Sequence, residues 1–176
     1  MFARAGQGAI TTAQILGNAI IKSGLHAYAF PHFGAARMGA PMNTFLRYDN
    51  KPIRLRTRVK LADCSLVVDG TLFGSQNVVG MTKEDGLIII NSQHKIPNID
   101  GRKVAVVPAN SLSIEIAGKI IANTVLLGTL CVFLPDIKFD FLCEAIKERF
   151  KGEAAQINLK LLEAGYNYGK QIFKKE

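Results

Sequence analysis

Three short, almost unbroken apolar runs constrain this chain more than any other feature: residues 64–69 (Cys-Ser-Leu-Val-Val-Asp), 87–91 (Leu-Ile-Ile-Ile-Asn) and 104–107 (Val-Ala-Val-Val). Runs of this length without polar alternation read as strands covered on both faces, the mark of a sheet held between layers. Helical periodicity before and after them places the chain in the α/β class. With 176 residues, 48% of them apolar, there is material for one substantial core, and residues 1–176 are expected to form a single domain.

The other segments fill in the architecture. Residues 9–23 have helical spacing and stop at Gly24, which suits a left-handed cap. Residues 26–30 read as a short strand, and residues 31–41 as a loop holding Gly34, Arg37 and Gly39. Residues 42–48 and 53–60 read as two strands of a hairpin joined by Asp49-Asn50-Lys51-Pro52, a turn-forming composition. A short helix is expected between residues 71 and 82. Residues 111–119 and 120–133 read as a buried helix pair, and residues 140–150 and 153–173 as amphipathic helices separated by Gly152. Because the hairpin adds antiparallel members, the expected fold is a three-layer α/β/α domain with a mixed sheet.

Near the amino end, Ala5-Gly6-Gln7-Gly8 opens directly into the first helix. Glycines at a helix start let backbone N–H groups approach an anion, and the positive end of the helix dipole points at the same place. Arg4, Gly6, Gln7 and Gly8 are therefore a candidate anion or interface site. The fragment lacks the Gly-Lys-Ser/Thr of a nucleoside-triphosphate loop and is not a full dinucleotide fingerprint. Met1-Phe2-Ala3-Arg4 is short for the strand that normally precedes such a turn, so the first strand is expected to be a stub or truncated.

Twenty-two Lys and Arg against fourteen Asp and Glu give a formal charge of +8, which implies anionic partners. The cations concentrate where Ile53, Leu55, Thr57 and Val59 alternate with Arg54, Arg56, Arg58 and Lys60. Paired across the expected turn, Arg47 would oppose Arg54, and such a concentration of like charge calls for an acid or a phosphate. Arg47, Arg54, Arg56 and Arg58 are thus a candidate basic docking face. No nucleic-acid motif, and no aromatic residues interleaved with the basic row, support a nucleic-acid partner. Residues 120–134 are too short an apolar run for a bilayer span and read as a buried helix, so no membrane partner is expected.

Catalytic machinery is not evident. Cys64, Cys131 and Cys143 are widely spaced in apolar surroundings and read as core thiols of a cytoplasmic protein, while His26, His32 and His94 are too scattered for a metal site. Asp69 ends a buried strand where open α/β sheets bind ligands, although capping of the following helix is the preferred role. The expectation is no catalytic residue and no metal bound by this chain alone.

Several motifs together carry a resemblance. Arg4-Ala5-Gly6-Gln7-Gly8-Ala9, Ala29-Phe30-Pro31-His32-Phe33-Gly34, Arg37-Met38-Gly39-Ala40-Pro41 and Asp49-Asn50-Lys51-Pro52-Ile53-Arg54 resemble the gamma subunit of 2-oxoacid:ferredoxin oxidoreductases, of the pyruvate or 2-ketoisovalerate type. The likeness continues through residues 85–91, 121–128 and 144–150, so it spans the chain in order. It implies the gamma-domain fold and a place in a complex that oxidatively decarboxylates a 2-oxoacid, passes the acyl group to coenzyme A and two electrons to ferredoxin. It further implies alpha and beta subunits holding thiamine diphosphate with Mg2+, and a ferredoxin-like delta subunit holding iron–sulfur clusters. Pro31, His32, Phe33, Gly34 and Arg37 become a candidate interface or active-site loop. Where the family commonly reads Gly-Gly-Gln-Gly and Glu-Arg-Arg-Gly-Ala-Pro, this chain has Ala5 to Gly8 and Ala36 to Pro41, so an ion pair in the second motif is lost. The alternatives are the small subunit of indolepyruvate:ferredoxin oxidoreductase, or a stand-alone module binding a nucleotide or coenzyme A.

Overall fold

The three apolar runs form three adjacent strands of a six-stranded sheet, reaching from its middle to one edge. The computed structural model describes residues 1–33 and 39–174, with strands β1 (Phe2–Arg4), β2 (His26–Phe33), β3 (Pro41–Asp49), β4 (Ala62–Val67), β5 (Thr82–Asn91) and β6 (Lys103–Val107). Their spatial order is β2-β3-β1-β4-β5-β6. β1, β4, β5 and β6 run parallel, whereas β3 is antiparallel to both β1 and β2. Leu66 and Ile89 point into one apolar cluster, and Val67, Ile88 and Ile90 into the other. Burial on both faces is what the missing polar alternation encodes.

One face carries a thick helical layer: α1 (Ala9–Lys22), α4 (Ala122–Phe133), α5 (Phe139–Arg149) and α6 (Gly152–Phe173), with α3 (Ala109–Ala117) beside them. α4 lies in the middle of this layer and is buried around most of its circumference. It meets α6 at backbone contact, since a Cβ on Gly128 would strike the Leu162 carbonyl and one on Gly165 the Val125 carbonyl. The opposite layer is thin, built from the four-residue α2 (Leu72–Ser75) and loops that bring Leu72, Val78, Phe73 and Ile96 onto Phe2, Val67, Ile88 and Ile90. No single helix among the described residues is long and apolar enough to cross a membrane. α3 and α4 reach that length only together, bent by 119°.

β1 is a strand of three residues in the middle of the sheet, bonded to β3 on one side and β4 on the other. Two expectations need correction. β2 continues through Pro31, His32 and Phe33, so those residues belong to a strand rather than a loop. β2 is an edge strand, where a proline without an N–H costs little. Residues 53–60 do not form the second strand of a hairpin. The turn is present, with the Lys51 amide donating to Asp49 Oδ1 at 3.1 Å. β2 takes one edge of β3 along its length and β1 takes the other only as far as Thr44, yet the basic segment does not add to the edge left beyond it and crosses as an irregular strap to β4. The sheet is mixed because of the β2–β3 and β1–β3 pairings instead.

Candidate functional site

The glycine turn stands at the carboxyl ends of the parallel strands, where α/β sheets place ligand crevices. Gly6 (φ +99°) and Gly8 (φ +79°) both adopt the left-handed region. These two angles turn the chain from β1 into α1 in four residues, which no β-carbon-bearing sequence would do without strain. Gly8 also has no room for a side chain, since a Cβ there would lie 2.8 Å from Asn123 Nδ2. Asn123, in the first turn of α4, donates to Thr12 Oγ1 at 3.0 Å, and Thr12 Oγ1 donates to the Gly8 carbonyl at 3.0 Å. The amino ends of α1 and α4 are thereby tied together, and no side chain caps either helix.

Asp69 is the hub of the facing loop. It accepts from Arg4 Nε at 3.1 Å, Gln7 Nε2 at 2.8 Å, the Thr71 amide at 3.0 Å and the Thr71 hydroxyl at 2.6 Å. Its burial would raise the carboxyl pKa, but the hydrogen bonds from Thr71 and Gln7 and the Arg4 charge outweigh that and hold it below the ordinary value. Arg4 also donates to the Gly39 carbonyl at 3.2 Å and to Thr71 Oγ1 at 3.1 Å. Gln7 Oε1 in turn accepts from the Arg4 amide at 2.7 Å. Asp69 thus fixes the turn of its own loop and anchors the glycine turn, but it does not cap α2 as expected, because Thr71 holds the N-cap position of that helix and no side chain caps it. Arg4 is committed to this pair, so the attraction for an anion comes from the first-turn amides of α1 and α4 rather than from a free guanidinium.

Asn91, at the end of β5, completes the wall. It donates to the Val68 carbonyl at 3.0 Å and to Asn110 Oδ1 at 2.8 Å, and its Oδ1 accepts from the Asn110 amide at 3.2 Å. The result is a cleft of about 900 Å³, with Gly6, Gln7, Gly8, Asp69, Thr71, Asn91 and Asn123 on polar walls and Phe73, Ile96, Ile120 and Ile121 as apolar lining. Sequence reading missed Asn91, Asn110 and Asn123. The available signal was an asparagine ending a buried apolar run, next to a helix start.

The other candidate residues distribute unevenly. Pro31 and His32 lie on β2, which ends at the same end of the sheet as the glycine turn. His32 is exposed and packs on the Phe45 ring at 6.4 Å, and Phe33 closes the strand. Gly34 and Arg37 lie outside the described residues. The basic strap leaves β3 and enters β4 at the opposite end of the sheet, so it is separate from the cleft. The opposed Arg47–Arg54 pair does not form, and Arg47 instead donates to the Thr57 carbonyl at 3.0 Å. Arg56 lies over the Tyr28 ring at 5.2 Å and Arg58 over Phe45 at 5.9 Å. Aromatic rings absent from the basic row itself are supplied by β2 and β3.

Among the described residues, no group of three His, Cys, Asp or Glu is arranged to hold a metal ion. Burial pushes the Cys64 thiol up to about 12 and the Cys131 thiol up to about 11, and raises Cys143, which favours the protonated form of all three.

Residues 1–168 match the family described as pyruvate ferredoxin/flavodoxin oxidoreductase. The pyruvate/ketoisovalerate oxidoreductases common subunit gamma of Thermococcus kodakarensis is 37% identical over 171 residues, covering 93% of this chain and 92% of that protein. Pyruvate synthase subunit PorC of Methanocaldococcus jannaschii is 37% identical over 164 residues, with coverage of 93% and 92%. The crystal structure of pyruvate oxidoreductase subunit PORC from Thermotoga maritima superposes with a TM-score of 0.82 at 28% identity, covering 94% of this chain and 92% of that one. A 2-oxoglutarate:ferredoxin oxidoreductase from Magnetococcus marinus shares the fold at a TM-score of 0.78 and 17% identity, and this chain covers 30% of it.

Proposed function

The chain belongs to the pyruvate ferredoxin/flavodoxin oxidoreductase family and is a gamma subunit of a pyruvate or 2-oxoacid:ferredoxin oxidoreductase, and from that premise we propose that its cleft forms part of the coenzyme A site of the assembled enzyme. In the reaction the bond between carboxylate and carbonyl carbon breaks and CO2 leaves. The acyl group forms a thioester with coenzyme A, and two electrons pass to ferredoxin. Thiamine diphosphate with Mg2+ supplies the carbanion chemistry from alpha and beta subunits, and a ferredoxin-like delta subunit carries the electrons. The complex works in the cytoplasm. The absence of a metal-binding group among the described residues and the raised thiol pKa values support assigning the clusters to other chains.

The observation that carries the proposal is the convergence of two helix amino ends without side-chain caps, α1 and α4, on one cleft at the ends of the parallel strands. Their first-turn amides suit the phosphates, and the apolar lining of Phe73, Ile96, Ile120 and Ile121 suits the long pantetheine arm. Arg4, Gln7, Asp69 and Thr71 position the glycine turn and make no step of the chemistry. Asn123→Asp tests this in the reconstituted enzyme. A carboxylate at the first turn of α4 is compatible with the helix dipole and hostile to a phosphate. The expected result is a KM for coenzyme A raised about tenfold, equivalent to roughly 1.4 kcal/mol, with the KM for pyruvate within about twofold of the parent. An unchanged KM for coenzyme A removes the cleft from that site.

A further inference from the structure

Asn91 ends β5 with only 8% of its surface exposed, and both polar atoms of its side chain are committed. Its Nδ2 donates to the Val68 carbonyl at 3.0 Å, and its Oδ1 accepts from the Asn110 amide at 3.2 Å. A carbonyl only accepts and a backbone N–H only donates, so these two bonds allow the Asn91 amide a single orientation. Gly70 presses the β4 loop onto the same point, since a Cβ there would lie 2.4 Å from the Asn91 carbonyl. The second hydrogen of Asn91 Nδ2 goes to Asn110 Oδ1 at 2.8 Å. Asn110 is thereby oriented in turn: its side-chain oxygen faces Asn91, and its Nδ2 faces away.

Asn110 lies in the first turn of α3, half-buried in the wall of the cleft. Its own amide goes to Asn91, and its carbonyl accepts from Ser113 Oγ at 3.0 Å. Nδ2 makes no hydrogen bond to any described residue. A tie between β5 and α3 does not account for that nitrogen. An aspartate would accept from Asn91 equally well and would suit the positive end of α3 better. What the asparagine adds over an aspartate is the outward donor, and that donor is neutral.

Its place in the cleft selects what it can meet. The glycine turn follows β1, Asn91 ends β5, and β4 alone lies between them, so Asn110 stands about two strand spacings, roughly 10 Å, from the turn. The amides of α1 and α4 serve the anionic end. Beside Asn110 the lining includes Ile96, Ile120 and Ile121. A neutral donor among apolar side chains suits a neutral carbonyl on an otherwise apolar arm. We propose, on the reading of the cleft as part of the coenzyme A site, that Asn110 Nδ2 holds an amide carbonyl of the pantetheine arm, and that Asn91 is the positioning residue that keeps this donor turned into the cleft.

The test uses the reconstituted enzyme with Asn110→Asp, Asn110→Ala, Asn91→Ala and the double alanine variant, reading KM for coenzyme A, KM for pyruvate and Tm. Asn110→Asp keeps the acceptor for Asn91 and removes the donor, so the Tm is expected to match the parent while the KM for coenzyme A rises about tenfold. Asn110→Ala removes the donor without adding charge and is expected to raise that KM similarly, with the KM for pyruvate unchanged in both. Asn91→Ala is expected to raise the KM for coenzyme A in the parent and to add nothing to it in the Asn110→Ala background. A rise with Asn110→Asp alone reports repulsion of a phosphate and overturns the carbonyl contact, and independent factors in the double variant overturn the role of Asn91. Equal rises in both KM values, or a lowered Tm with the KM for coenzyme A unchanged, leave Asn110 a structural tie and overturn the proposal. If Asn123→Asp raises the KM for coenzyme A and the Asn110 variants do not, the contact fails while the cleft stays in the coenzyme A site. If none of them raises it, the cleft reading fails and the contact with it.

Discussion

Gly8 carries more of the site than its size suggests. Its left-handed φ and its contact with Asn123 act on the same atom, the missing Cβ. Gly8→Val therefore imposes a positive φ on a β-branched residue and pushes α1 from α4. The expected cost is about 2 kcal/mol or more, read as a lower midpoint in urea, and the assembled enzyme is expected to lose activity. A parent-like midpoint and activity would show that the turn is an ordinary connector. The Asp69 carboxyl offers a test by pH. Its folded pKa lies below the unfolded value, so the stability it contributes is full above that unfolded value and disappears as pH falls through the folded pKa. Asp69→Asn is expected to flatten the acid limb of the stability profile relative to the parent, and superimposable profiles would contradict the assignment. The Arg4–Asp69 pair was not legible in the sequence, because 65 residues separate two side chains that meet only once β1 and β4 are parallel neighbours. The glycine turn was legible because its geometry is local.

At the level of elements, strands and helices with strong internal periodicity were read correctly, and the errors fall where tertiary context decides. The alternation in residues 53–60 satisfies every local rule for a strand, yet the segment pairs with no strand and crosses as a strap, although β1 takes that edge of β3 only as far as Thr44. Pro31 reads as a strand stop in isolation, but on an edge it is tolerated and β2 runs three residues further than expected. The strap keeps its proposed role as a docking surface in altered form. Arg54, Arg56 and Arg58 are exposed, and Arg56 and Arg58 are held against aromatic rings, which limits their freedom and presents their remaining N–H edges outward. Lying at the opposite end of the sheet from the cleft, they suit a partner carboxylate better than a coenzyme A phosphate. Reversing Arg54 and Arg56 to glutamate is expected to leave the chain folded and to weaken subunit association at least tenfold at low salt, with the difference shrinking as salt rises. Association equal to the parent at low salt would leave the strap a solvated face.

For the whole molecule, the account rests on division of labour. The sheet and its thick helical layer build a cleft with amides, amides of side chains and apolar walls, but the described residues include no metal-binding group, and the three thiols are held protonated by burial. Such a chain can bind and position, and the family it belongs to assigns it to a larger oxidoreductase. The measurement that tests this most directly is reduction of a viologen dye with pyruvate and coenzyme A, with this chain alone, with the alpha, beta and delta chains alone, and with all four. The account predicts no turnover without the full set and coenzyme-A-dependent turnover when this chain completes it. Turnover by this chain alone, or full activity of the other three without it, would contradict the account.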